Sequence, residues 1–173
     1  MNTVRRSLLK PKQFTDFVRL EIHGDRCKFH STSLQLPRGI YQLYPPKFGI
    51  LYLGISGVDG HGISKRMRSH AQKITGRFAG AADTKAFAQF RSEATEHGYD
   101  LDTILDKILV FTIPCDNMTR TEIEAWETVI YNALRSRGQC QFNSAKRIEG
   151  LDLETLNYVL NQEYLLDTAR YYI

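Results

Sequence analysis

Residues 39–56 read GIYQLYPPKFGILYLGIS. Two short runs rich in Ile, Leu and Tyr flank PPKFG, a turn signal built on two prolines and a glycine. The pattern predicts a β-hairpin with strands near 39–44 and 50–55. Each strand carries a tyrosine, Tyr41 in GIY and Tyr52 in LYLGIS. Strand tyrosines are more often packing residues than chemical ones, because cross-strand aromatic pairs stabilise hairpins without any further role. The hairpin alone leaves both readings open.

Working outward, SGVDGHG (56–62) is a glycine-rich loop, and a basic helix begins at Ile63 or Ser64. Ile63, Met67, Ala71 and Ile74 form its apolar stripe. Arg66, His70, Lys73 and Arg77 form a second stripe on another face. Residues 76–84 read as a loop, and residues 84–97 as a helix that stops at Gly98. KILVFTIP (107–114) is a β-branched run ended by Pro114, which predicts a buried strand. Thr119 and Glu122 make a capping box that opens a long helix, running to about Arg135 before Gly138. QCQFNSA is a short extended segment, and Leu153, Leu156, Leu160 and Leu165 place a helix in the tail. Before the hairpin, Phe14, Phe17, Val18 and Ile22 lie at helical spacing after Pro11, predicting a helix over 11–22. Residues 26–36 read as a strand or an irregular arm ending at Pro37. The fold class is α+β: a small three-stranded antiparallel sheet flanked by helices, with N- and C-terminal elaborations.

The chain has 173 residues, 42% hydrophobic and 24% charged, the balance of a soluble globular domain. No apolar stretch is long enough to span a membrane, and the basic N-terminus has no apolar signal core, so a cytoplasmic protein is expected. Three widely spaced cysteines, Cys27, Cys115 and Cys140, form no CxxC pair, which argues against a disulfide framework or a structural zinc site. The net charge is only +4, but it is unevenly spread. Residues 61–91 hold seven Lys/Arg against one acid, whereas 92–128 hold nine acids against two bases. Separated basic blocks suit a phosphate-binding surface, and a plain solvated face is the alternative.

Several residues could carry chemistry. Arg66 and His70 lie i, i+4 on one helix face, where a guanidinium fork can grip phosphate and an imidazole can move protons. Glu127 sits within the stripe formed by Ile123, Trp126, Ile130 and Leu134. A carboxylate there needs a partner, because burying it alone is costly. That partner is either an arginine in a structural ion pair or a divalent metal, and the ion pair is the commoner case. Asn143, in QFNSA, is weak alone, since Asn in an extended segment usually caps a turn. His61, in the glycine loop, is a weaker candidate still.

Taken in order, GIY (39–41), YLG (52–54), the helix pair Arg66 and His70, helical Glu127 and Asn143 resemble the GIY-YIG nuclease family. The first tripeptide matches letter for letter, and the second has Leu in place of Ile. The tripeptide GIY is weak evidence by itself; the ordered set of five elements is much more specific. The resemblance covers about residues 38–145. The loop from Gly54 to Arg66, the region 75–106 and the interval from Glu127 to Asn143 are all longer than in the simplest members, as in members that act as restriction enzymes. The resemblance divides the chain into an N-terminal arm (1–37) able to touch DNA, a nuclease core (38–147) and a C-terminal helix (148–173) packed on the core.

The resemblance implies hydrolysis of DNA phosphodiesters with one Mg²⁺ or Mn²⁺ per active site, held by Glu127. It implies Tyr41 as general base, Tyr52 orienting water or phosphate, and Arg66 stabilising the charge that develops at phosphorus. His70 would relay a proton or hold Tyr41, and Asn143 would brace the site. Lys65, Arg68, Lys73, Arg77, Lys146 and Arg147 are the expected DNA contacts. Double-strand cleavage by one site per chain calls for a homodimer, on a palindromic target, or for two visits. Three activities fit the resemblance: sequence-specific restriction, structure-specific repair or homing cleavage, and a non-catalytic module that binds nucleic acid.

Overall fold

The computed structural model describes residues 18–20, 22–25, 28–31, 38–45, 47–58, 63–77, 85–116 and 118–138. Three short strands precede the hairpin: β1 (Val18–Leu20), β2 (Ile22–Asp25) and β3 (Lys28–Ser31). Strands β2 and β3 make a separate two-stranded sheet. The hairpin forms as its sequence predicts. Strand β4 (Gly39–Tyr44) pairs antiparallel with β5 (Tyr52–Ser56), with Tyr41 opposite Gly54 and Leu43 opposite Tyr52. Strand β6 (Leu109–Pro114) completes the main sheet, which has the order β1-β6-β4-β5 and is antiparallel throughout.

The three expected strands are therefore present, and β1 adds a fourth at the β6 edge. This corrects the helix expected over 11–22, of which residues 11–17 and 21 lie outside the described set. Val18 pairs with Thr112 and Leu20 with Val110. An unpaired β6 edge would leave backbone groups without partners, and this pairing satisfies them. That long-range gain outweighs a local helical pattern only a few residues long.

Period-two alternation along β4 sends Ile40 to one face and Tyr41 and Leu43 to the other. Helix α3 (Arg120–Ser136) covers the Ile40 face, burying Ile123, Trp126, Val129 and Ile130 against Leu53, Phe111 and Ile113. Helices α1 (Ile63–Thr75) and α2 (Lys85–Glu96) cover the Tyr41 face, packing Met67, Ala71, Ile74, Phe87 and Phe90 around Leu43, Leu51 and Val110. A 3-10 turn, Ile104–Lys107, leads from α2 into β6. Thr119 caps α3 through the reciprocal bonds of the capping box, with the Glu122 amide donating to the Thr119 hydroxyl and the Thr119 amide donating to the Glu122 carboxylate. No helix among the described residues is long and apolar enough to cross a membrane. The expected C-terminal helix lies outside the described residues.

Gly39, the first letter of GIY, has a steric reason to be glycine. A Cβ there would stand 2.1 Å from the Ile113 carbonyl oxygen of β6, so any side chain would push the two central strands apart.

Candidate active site

Tyr41 is the centre of the candidate site. It lies on the central strand with no solvent exposure, and its hydroxyl is 2.8 Å from His70 Nε2. The tyrosine ring passes over the backbone of Gly54, its partner on edge strand β5. A Cβ on Gly54 would sit 2.8 Å from the Tyr41 hydroxyl oxygen and 2.6 Å from Tyr52 Cε1. Glycine in the YLG tripeptide is thus the space into which both tyrosines fit.

Helix α1 supplies the next residues. Because side chains i and i+4 stack along one helix face, Arg66 and His70 point the same way. Arg66 hydrogen-bonds the Tyr41 phenol, and its charge favours the phenolate. Burial has the larger effect and holds the Tyr41 pKa well above its ordinary value, so the phenol keeps its proton. The charges of Tyr52 and Glu127 push in the same direction as burial.

His70 is 5% exposed, and its pKa is lowered to about 3, first by burial and then by the positive charges of Lys73 and Arg66. It is a neutral imidazole. Arginine can only donate, so the Tyr41 oxygen accepts from Arg66. The proton that Tyr41 retains then has His70 Nε2 as its acceptor. This sequence of bonds, from Arg66 to Tyr41 to His70, favours the tautomer with the His70 proton on Nδ1, an atom with no hydrogen-bond partner among the described residues.

The remaining members come from β5 and α3. The Tyr52 ring lies 4.5 Å from the His70 ring and 6.1 Å from the Tyr41 ring. Glu127 is half-buried on α3, the helix covering the opposite face of the sheet, and its charge still reaches Tyr41. Tyr41, Tyr52, Arg66 and His70, from three elements, therefore gather on one face of the sheet, and the charge of Glu127 reaches Tyr41 from α3. As a cation site, Glu127 offers one hard oxygen donor, and no group of three His, Cys, Asp or Glu gathers among the described residues. One carboxylate suits Mg²⁺ or Mn²⁺, which keep waters and take phosphate oxygens as ligands. It does not suit zinc, which needs several protein ligands.

The expected DNA contacts divide. Lys65 and Arg68 are exposed on α1. Lys73 is half-buried, with Nζ 5.6 Å from the centre of the Phe87 ring. Arg77 is exposed and paired with Asp102 at 2.6 Å. Asn143, Lys146 and Arg147 lie outside the described residues, as does His61.

One contributor leaves no mark in the sequence. Phe87, on α2, stacks on His70 at 5.4 Å with the rings 26° apart and lies 5.8 Å from Tyr52. Along the chain, Phe87 is one apolar position in an ordinary amphipathic stripe. Comparison with protein-family models, curated proteins and solved structures finds no match to this chain.

Proposed function

We propose that this chain is a metal-dependent DNA endonuclease of the GIY-YIG type, cutting phosphodiester bonds at a specific sequence in the manner of a restriction enzyme. One observation carries the reading. Four of the side chains that the family resemblance singles out, Tyr41, Tyr52, Arg66 and His70, lie together on one face of the sheet, and the charge of Glu127 is felt at Tyr41 from the helix on the other face. A merely solvated basic face on α1 would not bury His70 or hydrogen-bond Arg66 to a strand tyrosine.

Glu127 would hold the Mg²⁺ or Mn²⁺ ion, which when bound supplies positive charge to the phosphate and to the departing 3′ oxygen. The protein's own residues do the rest. Arg66 faces the scissile phosphate and stabilises the charge that grows on its equatorial oxygens during attack. Tyr41 is fully buried in the resting fold, so the step requires that bound substrate bring the attacking water to its hydroxyl. Tyr41 would then take a proton from that water as its own proton moves to His70 Nε2, so one proton enters the phenol oxygen and one leaves. The phosphorus–oxygen bond to the 3′ carbon breaks, and the departing oxygen takes a proton from solvent.

With His70 lowered to about 3 and Tyr41 raised, this transfer is uphill in the resting protein. A phosphate beside Arg66 offsets the positive charge that depresses His70, so substrate itself makes the relay easier. Tyr52 borders both Tyr41 and His70 and orients the water or phosphate. The exposed Lys65 and Arg68 grip the DNA backbone, and two chains on a palindromic site cut both strands. Such an enzyme acts in the cytoplasm, where DNA and Mg²⁺ are both available.

Digestion of a long DNA of random sequence with Mg²⁺ or Mn²⁺ tests the proposal. Discrete fragments support it, preferential cutting of flaps or branches shifts the reading to repair, and no cutting with either metal leaves a binding module.

A further inference from the structure

The family resemblance does not assign any role to helix α2. It lies in the long interval between the Arg66–His70 helix and strand β6, yet its side chains enter the site. Phe87 is 1% exposed and lies nearly parallel to His70, with an interplanar angle of 26° and centroids 5.4 Å apart. It also flanks Tyr52 at 5.8 Å. The imidazole is therefore enclosed by the Tyr41 hydroxyl at its Nε2, the Tyr52 ring at 4.5 Å and the Phe87 ring.

Helix α2 is itself fixed at two further points. The Arg91 guanidinium donates to the Lys73 carbonyl in the last turn of α1. Phe90, on the same helix, meets Phe48 from the β4–β5 turn edge-on at 5.3 Å. Phe48 also touches Tyr99, just beyond the helix, at 5.4 Å. The helix is thus clamped to the hairpin that carries Tyr41 and to the helix that carries His70.

We propose that Phe87 is a positioning residue, holding the His70 ring so that Nε2 faces the Tyr41 hydroxyl. The role rests on the nuclease reading only for its catalytic consequence. The packing consequence stands apart from it. Rotation of an unsupported imidazole about its side-chain bonds would turn Nε2 away from the phenol and bring Cε1, which cannot accept its proton, into that place. A flat ring face against it removes that freedom, and an aliphatic side chain of similar bulk does not. Burial is the main reason that the enclosed imidazole stays neutral, and Lys73, over the Phe87 ring, adds a positive charge that acts in the same direction.

The test compares Phe87→Leu with Phe90→Leu in the full chain. Both residues are fully buried on α2, and it is Phe87 that stacks on His70. The first readout is nitrogen-15 NMR of the His70 ring across the neutral pH range. The wild type and Phe90→Leu are expected to show one neutral tautomer, protonated at Nδ1, with no titration. Phe87→Leu is expected to show mixed tautomers and a midpoint moved towards the ordinary histidine value. The second readout is cleavage of a DNA substrate. Phe87→Leu is expected to lower kcat by about tenfold or more with KM little changed, the scale of a small misplacement of a reacting group. Phe90→Leu is expected to lower melting temperature by a similar amount with kcat within about threefold of wild type. The proposal is overturned if Phe87→Leu leaves the His70 spectrum unchanged, or if both variants change it equally. If the wild type cuts no DNA, the nuclease reading fails while the NMR comparison still decides the role of Phe87.

Discussion

Lowering the pH from about 7.5 to about 5 is expected to cost the fold about 2 kcal/mol through His70. The folded protein holds this imidazole near 3, against an ordinary value of 6.5, because it is buried beside Lys73 and Arg66. Below 6.5 the unfolded chain takes up a proton that the folded chain refuses. The unfolded state therefore binds more protons, and stability falls as pH falls. The contribution is complete above 6.5 and is lost progressively down to about 3. Each pH unit inside that window is worth about 1.4 kcal/mol, which gives about 2 kcal/mol by pH 5. That is a substantial share of the 5–15 kcal/mol or so that holds a typical domain.

The assay is urea unfolding followed by fluorescence, for which the single tryptophan, Trp126, is well placed because it is buried in the α3 face of the core. Wild type and His70→Gln are compared at several pH values between 7.5 and 5. The other histidines and the carboxylates occur in both proteins and largely cancel in the difference. The wild type is expected to lose about 2 kcal/mol more than His70→Gln over this interval. Parallel losses in the two proteins would refute the reasoning, since they would mean that His70 titrates alike in the folded and unfolded chains.

Two further outcomes follow from the site. Gly54→Ala puts a methyl group against the Tyr41 hydroxyl and the Tyr52 ring. It is expected to destabilise the fold by about 1–3 kcal/mol and to slow cleavage by about a hundredfold, measured by thermal melting and a nicking assay. Wild-type cutting by Gly54→Ala would show that the Tyr41 position does not matter. Lys65→Ala with Arg68→Ala is expected to weaken DNA binding alike for all sequences. It is also expected to reduce the slope of log affinity against log salt by about 1 for each phosphate that the variant no longer neutralises. An unchanged slope would place the DNA on another surface.

Much of this fold is legible in the sequence, for local reasons. The hairpin shows in PPKFG between two β-rich runs, α3 in its capping box, α1 in its apolar stripe, and α2 in a helical segment stopped by Gly98. What local pattern misses is pairing at long range. Val18–Leu20 has helical spacing in its own neighbourhood, but it is needed at an edge of β6 far along the chain. The site divides in the same way. Arg66 and His70 are recognisable as one helix face, and Glu127 as a carboxylate where apolar residues belong. The burial of His70 is not recognisable, because it depends on Phe87 and Tyr52 from other elements. Gly54 is visible as a letter of YLG, but its reason is visible only once the Tyr41 ring lies across it.

The most direct test of the central claim is plasmid cleavage by the wild type, Tyr41→Phe and Glu127→Ala with Mg²⁺ or Mn²⁺, alongside a gel-shift measurement of DNA binding. The wild type should nick or linearise the plasmid. Both variants should bind DNA within about threefold of wild type and fail to cut it, as expected when only interactions made during the chemical step are removed. Wild-type cutting by Glu127→Ala would contradict the account.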